Sequence, residues 1–228
     1  MNVTELLQRL TDPHGVKGSE LQALLDGYYA EGNRSAKEKS DDRSGLRPYK
    51  KIRDEVSPID RFLRWAGLAS ATVYFPMDNT VPDCTILLPT GQTIQLEVTT
   101  AGSRERKRTA EQLNREGISR GFSGLRDDAT RDEEQERLEQ PPQMYSTVQA
   151  IDTISKAISL SLAKKNDRKY EGMALLVAVD LVWLGPERWK VLPKLLKSDV
   201  DRLPFSEVYL IHKDRKDLLG FQLKGTRF

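Results

Sequence analysis

The chain predicts an α/β protein whose mixed central sheet is flanked by helices. Three observations predict it. Residues 173–179 are a continuous apolar run, and residues 207–211 carry a second one after Glu207; uniform runs of this length mark strands buried on both faces. Residues 71–75, 83–88 and 93–99 are short, rich in β-branched residues and bounded by turn formers. Between these groups lie segments with apolar residues at helical spacing, giving the order α-β-β-β-α-insert-α-β-α-β. That order implies a sheet antiparallel in its first half and parallel later, with helices over both faces.

Taken in order, residues 1–31 read as a helical hairpin. Leu6, Leu7 and Leu10 fall on one face, Asp12-Pro13-His14-Gly15 interrupts, and Ser19 caps a second helix bearing Leu21, Leu24, Leu25 and Tyr28. Residues 32–56 read as a basic linker. Within it, over 34–53, Arg34, Lys37, Lys39, Arg43, Arg47, Lys50, Lys51 and Arg53 stand against Glu38, Asp41 and Asp42. The remainder, 57–228, reads as one α/β domain. Ser57-Pro58 opens a helix with the stripe Ile59, Phe62, Leu63 and Ala66, closed by Gly67. Three strands follow, the last two joined by Pro89-Thr90-Gly91, with a turn expected around Asp78-Asn79. A helix is expected over 104–116, and a charged insert over about 117–142, read as an exposed helix or flap. Val148, Ile151, Ile154, Ile158 and Leu162 then make the stripe of a helix over 146–165. A helix near 187–197 separates the two buried strands, and residues 219–223 form an edge strand.

Composition narrows the function. The 228 residues carry a net charge of +2 and 31% charged side chains. The lone Cys84 excludes an internal disulfide framework, and one cysteine with His14 and His212 does not make structural zinc. No apolar run approaches the roughly 18 residues of a membrane span, and MNVTELLQRL lacks the pattern of a secretory signal. The expectation is a cytoplasmic protein with no membrane association. The small net charge hides a segregation, with the excess of cations over 34–53 and an excess of acids over 126–139. A cationic face for nucleic acid, gated by the acidic insert, is therefore expected despite the near-neutral sum. Trp183, Trp189 and Tyr209 read as packing residues rather than stacking platforms.

The chemistry lies in Pro82-Asp83 and Gln95-Leu96-Glu97-Val98-Thr99. Side chains alternate along a strand, so Gln95, Glu97 and Thr99 share one face and Ile94, Leu96 and Val98 the other. A two-residue turn would set Asp83 opposite Val98. A three-residue loop ending in left-handed Gly91 sets Asp83 opposite Glu97 and keeps the apolar residues together, and it is the expected register. Two opposed carboxylates repel, and a hard divalent cation such as Mg²⁺ or Mn²⁺ relieves them. Cys84 points to the opposite face from Asp83, which argues against a catalytic thiol.

With its helix, three strands, Pro-Asp at the second strand and Glu-x-polar on the third, the chain resembles the restriction-endonuclease-like PD-(D/E)xK nuclease superfamily over about residues 57–211. The resemblance implies an α-β-β-β-α-β core and a metal-dependent phosphodiester hydrolase, a DNA nuclease, in which Asp83 and Glu97 bind magnesium. The family's lysine, two residues after the glutamate, is replaced by Thr99. Lysines that migrate to a neighbouring helix point to Lys156, with Lys164 and Lys165 near that helix's end, and Asp60 is the candidate acid on the first helix. Residues 154–170 also resemble a segment of bacterial nuclease-like proteins from defence loci. The expected catalytic residues are thus Asp83, Glu97, Thr99 and Lys156, and the metal ligands Asp83, Glu97 and Asp60. The basic stretch, with Arg104, Arg106, Lys107 and Arg108, would follow a DNA backbone. A homodimer or a partner subunit fits the resemblance too. The alternative reading is a catalytically inactive module of the same fold that binds nucleic acid or protein.

Overall fold

Alternation along the central strands dictates a sheet with two covered faces, and the computed structural model has one. It describes residues 1–78, 80–119, 121–139, 144–182, 184–213 and 219–226. Seven strands lie in chain order: β1 (Val16–Lys17), β2 (Thr72–Tyr74), β3 (Cys84–Leu87), β4 (Thr93–Thr100), β5 (Ala174–Val179), β6 (Glu207–His212) and β7 (Gly220–Lys224). Pairing is antiparallel from β1 to β4, parallel from β4 to β6, and antiparallel again for the edge strand β7. The expected α/β class with a mixed sheet is therefore present.

In β5, Leu175, Val177 and Val179 point to one core, and Ala174, Leu176 and Ala178 to the other. Val208 and Leu210 of β6 join the first set, Tyr209 and Ile211 the second. The Ala/Leu/Tyr side is covered by α1 (Val3–Leu10), α2 (Gly18–Tyr29) and α5 (Ser57–Ala66), whose buried residues include Leu6, Leu21, Ile59 and Phe62. The opposite side is covered by the later helices α8 (Thr147–Ala163), α9 (Pro186–Trp189) and α10 (Leu192–Asp201). The N-terminal hairpin packs into the first core through Leu6, Leu10, Leu21 and Leu25, and it adds β1 to the sheet. That two-residue strand carries too little pattern to be read from sequence. Gly15 makes it possible: its φ is +72°, and a Cβ there would lie 2.9 Å from the Val73 carbonyl oxygen.

The stretch expected as a linker is helical. Ser35 and Glu38 form a reciprocal capping box for α3 (Ala36–Ser44), and Gly45 closes that helix in the left-handed conformation. A single turn, α4 (Tyr49–Lys51), continues through a π-helical segment, Ile52–Val56, into α5. Ile52 and Val56 are the buried anchors that the high charge of this region concealed. Much of that charge is consumed internally: Arg34 pairs with Asp42 at 2.8 Å, Lys37 with Asp41 at 2.6 Å, Lys51 with Glu55 at 2.6 Å, and Arg53 with Asp54 at 2.9 Å.

The charged insert is likewise pinned at its start. α6 (Ser103–Glu116) begins without a side-chain cap of its own. Asp127 supplies one from the insert, accepting from the Gly102 and Arg104 amides at 2.9 Å each and from Ser103 Oγ at 3.1 Å. Glu105 accepts from the Ser123 and Leu125 amides, at 2.9 and 2.8 Å, and from Arg108 at 2.7 Å. The expected exposed helix follows as α7 (Arg131–Glu139). Trp189 and Tyr209 are buried, as their reading as packing residues requires. Asn79 of the expected turn, Arg120 and residues 140–142 of the insert, and Trp183 lie outside the described residues.

Candidate functional site

The β3–β4 hairpin fixes the first two site residues. Leu88 N–H donates to the Gln92 carbonyl at 2.8 Å and Gly91 N–H to the Leu88 carbonyl at 2.9 Å, closing the loop over Pro89-Thr90-Gly91 with Gly91 at φ +87°. Thr85 pairs with Gln95 and Cys84 with Leu96, the register expected of a three-residue loop. Continued by one residue, it carries Asp83 opposite Glu97. The Asp83 carboxylate accepts the Val98 N–H at 2.8 Å, which bridges the strands where formal pairing ends.

Glu97 lies on the face opposite Leu96 and Val98 and is only 4% exposed. It sits where the second core stops: Leu175 and Val177 of β5 are apolar on that face, but β4 presents Gln95, Glu97 and Thr99. A buried carboxylate needs a partner, and Lys165, just beyond the end of α8, forms an ion pair with Glu97 Oε1. Among the described residues, Glu97 Oε2 is buried with no hydrogen-bond partner. Burial raises the Glu97 pKa, against the pull of Lys165; the Asp83 charge adds to the rise, and the Asp83 backbone amide opposes it. Asp83 is pushed up to about 6, by burial first and by the Glu55 charge second, with the Val98 N–H and Lys165 opposing. Burial works to lower Lys165, but the Glu97 carboxylate outweighs it and the ammonium is held in its charged form.

Two expected members are not brought in. Lys156 is 61% exposed and pairs with Asp152 at 2.8 Å, one helical turn away. The helical stripe explains the difference. Lys165 follows Ile158 by seven residues and so continues the sheet-facing row, whereas Lys156 stands off it. Asp60 is buried in an ion pair with Arg64 at 2.8 Å. The acid nearer the site is Glu55, in the π-helical segment, which repels Asp83. It escaped the sequence reading because it lies in the supposed linker, and only the π-helical turn, a form common at functional sites, aims it there. Thr99 is half-buried on the face of Glu97. Cys84 is fully buried in the opposite core, with its thiol pushed up by burial.

The donor set fits a hard divalent cation in one specific way. Among the described residues Glu97 Oε2 lacks a partner, and the Asp83 pKa is raised by burial and then by the Glu55 charge, so a cation between the two carboxylates would relieve both. Among the described residues no group of three His, Cys, Asp or Glu side chains converges. Such a site offers two carboxylates and leaves the other positions to water and ligand oxygens, as magnesium tolerates.

The expected polyanion surface is much reduced. Arg106 makes a bidentate pair with Asp54, at 2.7 and 3.1 Å, Arg108 is buried against Glu105, and Arg104 meets Asp127 and Glu134. Lys107 alone of that cluster is exposed, 3.6 Å from Glu111. Among the described residues no helix is long and apolar enough to cross a membrane. No family model, no curated protein and no solved structure matches the chain.

Proposed function

We propose that the protein is a metal-dependent phosphodiester hydrolase acting on nucleic acid, with a restriction-endonuclease-like core. The observation that carries this reading is the convergence of Asp83, Glu97 and Lys165, contributed by the β3–β4 hairpin and the end of α8. Asp83 and Glu97 would hold Mg²⁺ or Mn²⁺, which polarises a phosphodiester and lowers the pKa of a bound water. Lys165, kept charged by Glu97, takes the place vacated at Thr99: it neutralises charge developing on the phosphoryl oxygens. The Thr99 hydroxyl, two residues from Glu97 on the same face, orients the attacking water. Burial and the Glu55 charge raise the Asp83 pKa to about 6, so the carboxylate is open to a cation at neutral pH and loses it to protons as pH falls through 6.

One observation favours a second reading, a module of this fold that binds without cleaving. Of the arginines expected to follow a DNA backbone, Arg34, Arg53, Arg106 and Arg108 are engaged in internal pairs, which reduces the cationic surface for tight binding. Incubating the protein with supercoiled plasmid, short duplexes and single-stranded RNA, with Mg²⁺, Mn²⁺ or EDTA, separates the two. Metal-dependent cleavage abolished by Glu97→Ala and by Lys165→Met is expected. No cleavage of any substrate under either metal overturns the enzyme reading.

A further inference from the structure

A pocket lies past the C-terminal ends of β4, β5 and β6, and Asp83, Glu97 and Lys165 do not line it. Its volume is about 100 Å³, and its floor is apolar: Leu125, Ile154, Ala157 and Val179, with Phe122 at the side. The walls come from four separate places, namely the start of α6, the insert, α8 and the ends of β5 and β6. Into this apolar space come the side chains of Lys213, which follows β6, and Arg106.

The charges around it are unequally satisfied. Arg106 is held by both oxygens of Asp54, and Glu105 by Arg108 and two backbone amides. Lys213 is only 21% exposed, and among the described residues its nearest acid, Asp180, stands 3.9 Å away, beyond hydrogen-bond reach. An apolar floor with a poorly paired ammonium at its rim is the complement of an amphipathic anion.

We propose that this pocket binds a small carboxylate with a short aliphatic body, its carboxylate on Lys213 and its chain among Leu125, Ile154 and Ala157. The volume supports a short chain, because a closed cavity of about 150 Å³ holds a benzene ring. Burial first, then Arg106, press the Lys213 pKa down to about 8, against the pull of Asp180 and Asp54 and with a further push from Arg53. A bound carboxylate opposes that push and raises the pKa again. Binding therefore takes up protons above about pH 8 and weakens as pH rises.

The test is an amide-detected NMR titration of the full chain with sodium pentanoate, beside the neutral 1-pentanol. Pentanoate should shift resonances around the pocket saturably. Lys213→Met should weaken it at least tenfold while changing pentanol less than twofold, the loss of a charge-assisted hydrogen bond being worth about that much. Thr153→Phe, which keeps Lys213 and fills the pocket from α8, should abolish both titrations. Pentanoate binding that survives Lys213→Met, equal affinities for pentanoate and pentanol, or no saturable shift in the wild type overturns the proposal. Each result is independent of whether the protein cleaves nucleic acid.

Discussion

Replacing Asp83 by asparagine should make the metal-free protein more stable at neutral pH and leave it unchanged near pH 4. The Asp83 carboxyl titrates at about 6 in the folded chain, through burial and the Glu55 charge, against about 3.9 when unfolded. Between those values the folded state binds more protons than the unfolded state. The stability this group contributes is therefore complete below about pH 4 and is lost as pH rises through 6. A shift of about two pH units corresponds to on the order of 3 kcal/mol. Partial exposure and the charge shared with Glu97 reduce the expected effect to about 1–3 kcal/mol. Asparagine keeps an acceptor for the Val98 N–H, so the local hydrogen bond survives. The assay is urea denaturation in EDTA from pH 4 to pH 8, wild type against Asp83→Asn. The variant's advantage should open from zero at the acid end to its full size by about pH 7.5. A variant equal to or less stable than the wild type at pH 7.5 refutes the argument, because it means Asp83 is not strained by its neighbours.

Three further substitutions probe the ion pair of the site and the cap on α6. Lys165→Met strands a buried carboxylate and should cost about 3 kcal/mol at pH 8, with the loss shrinking at low pH as Glu97 takes a proton; Lys156→Ala, on the solvent side of the same helix, should leave the urea midpoint unchanged. Equal effects of the two would show that α8 is rotated from the orientation described. Asp127→Ala should cost about 1–2 kcal/mol and speed amide exchange in the first turn of α6, since three donors there lose their acceptor; unchanged exchange in that turn would mean that the insert does not cap the helix.

Much of the site was legible because β-structure is strictly periodic. A run with period two and a loop ending in glycine leave few registers, and one of them places Asp83 against Glu97 while keeping Ile94, Leu96 and Val98 together; the observed Thr85–Gln95 pair is that register. Lys165 stands beside Lys156 among the lysines the resemblance points to, seven residues after Ile158 on the sheet-facing row, but the resemblance alone does not choose between them. Glu55 was not legible. Its position depends on a π-helical segment and on Ile52 and Val56 finding the core, and a stretch with eight cations reads as solvated chain until their partners are known.

The sequence by itself determined β2 to β7, the main helices that cover them, the change from antiparallel to parallel pairing along the sheet and the opposition of two carboxylates, since these follow from local periodicity and short loops. Only the tertiary structure decided where the charge goes. Arg106 reaches back to Asp54, Asp127 caps a helix that starts 24 residues before it, and Lys165 meets Glu97 across 68 residues. Such pairs have no period. They form because a charge leaving water must find its opposite wherever the packed chain happens to bring one, and composition records only that both signs are present.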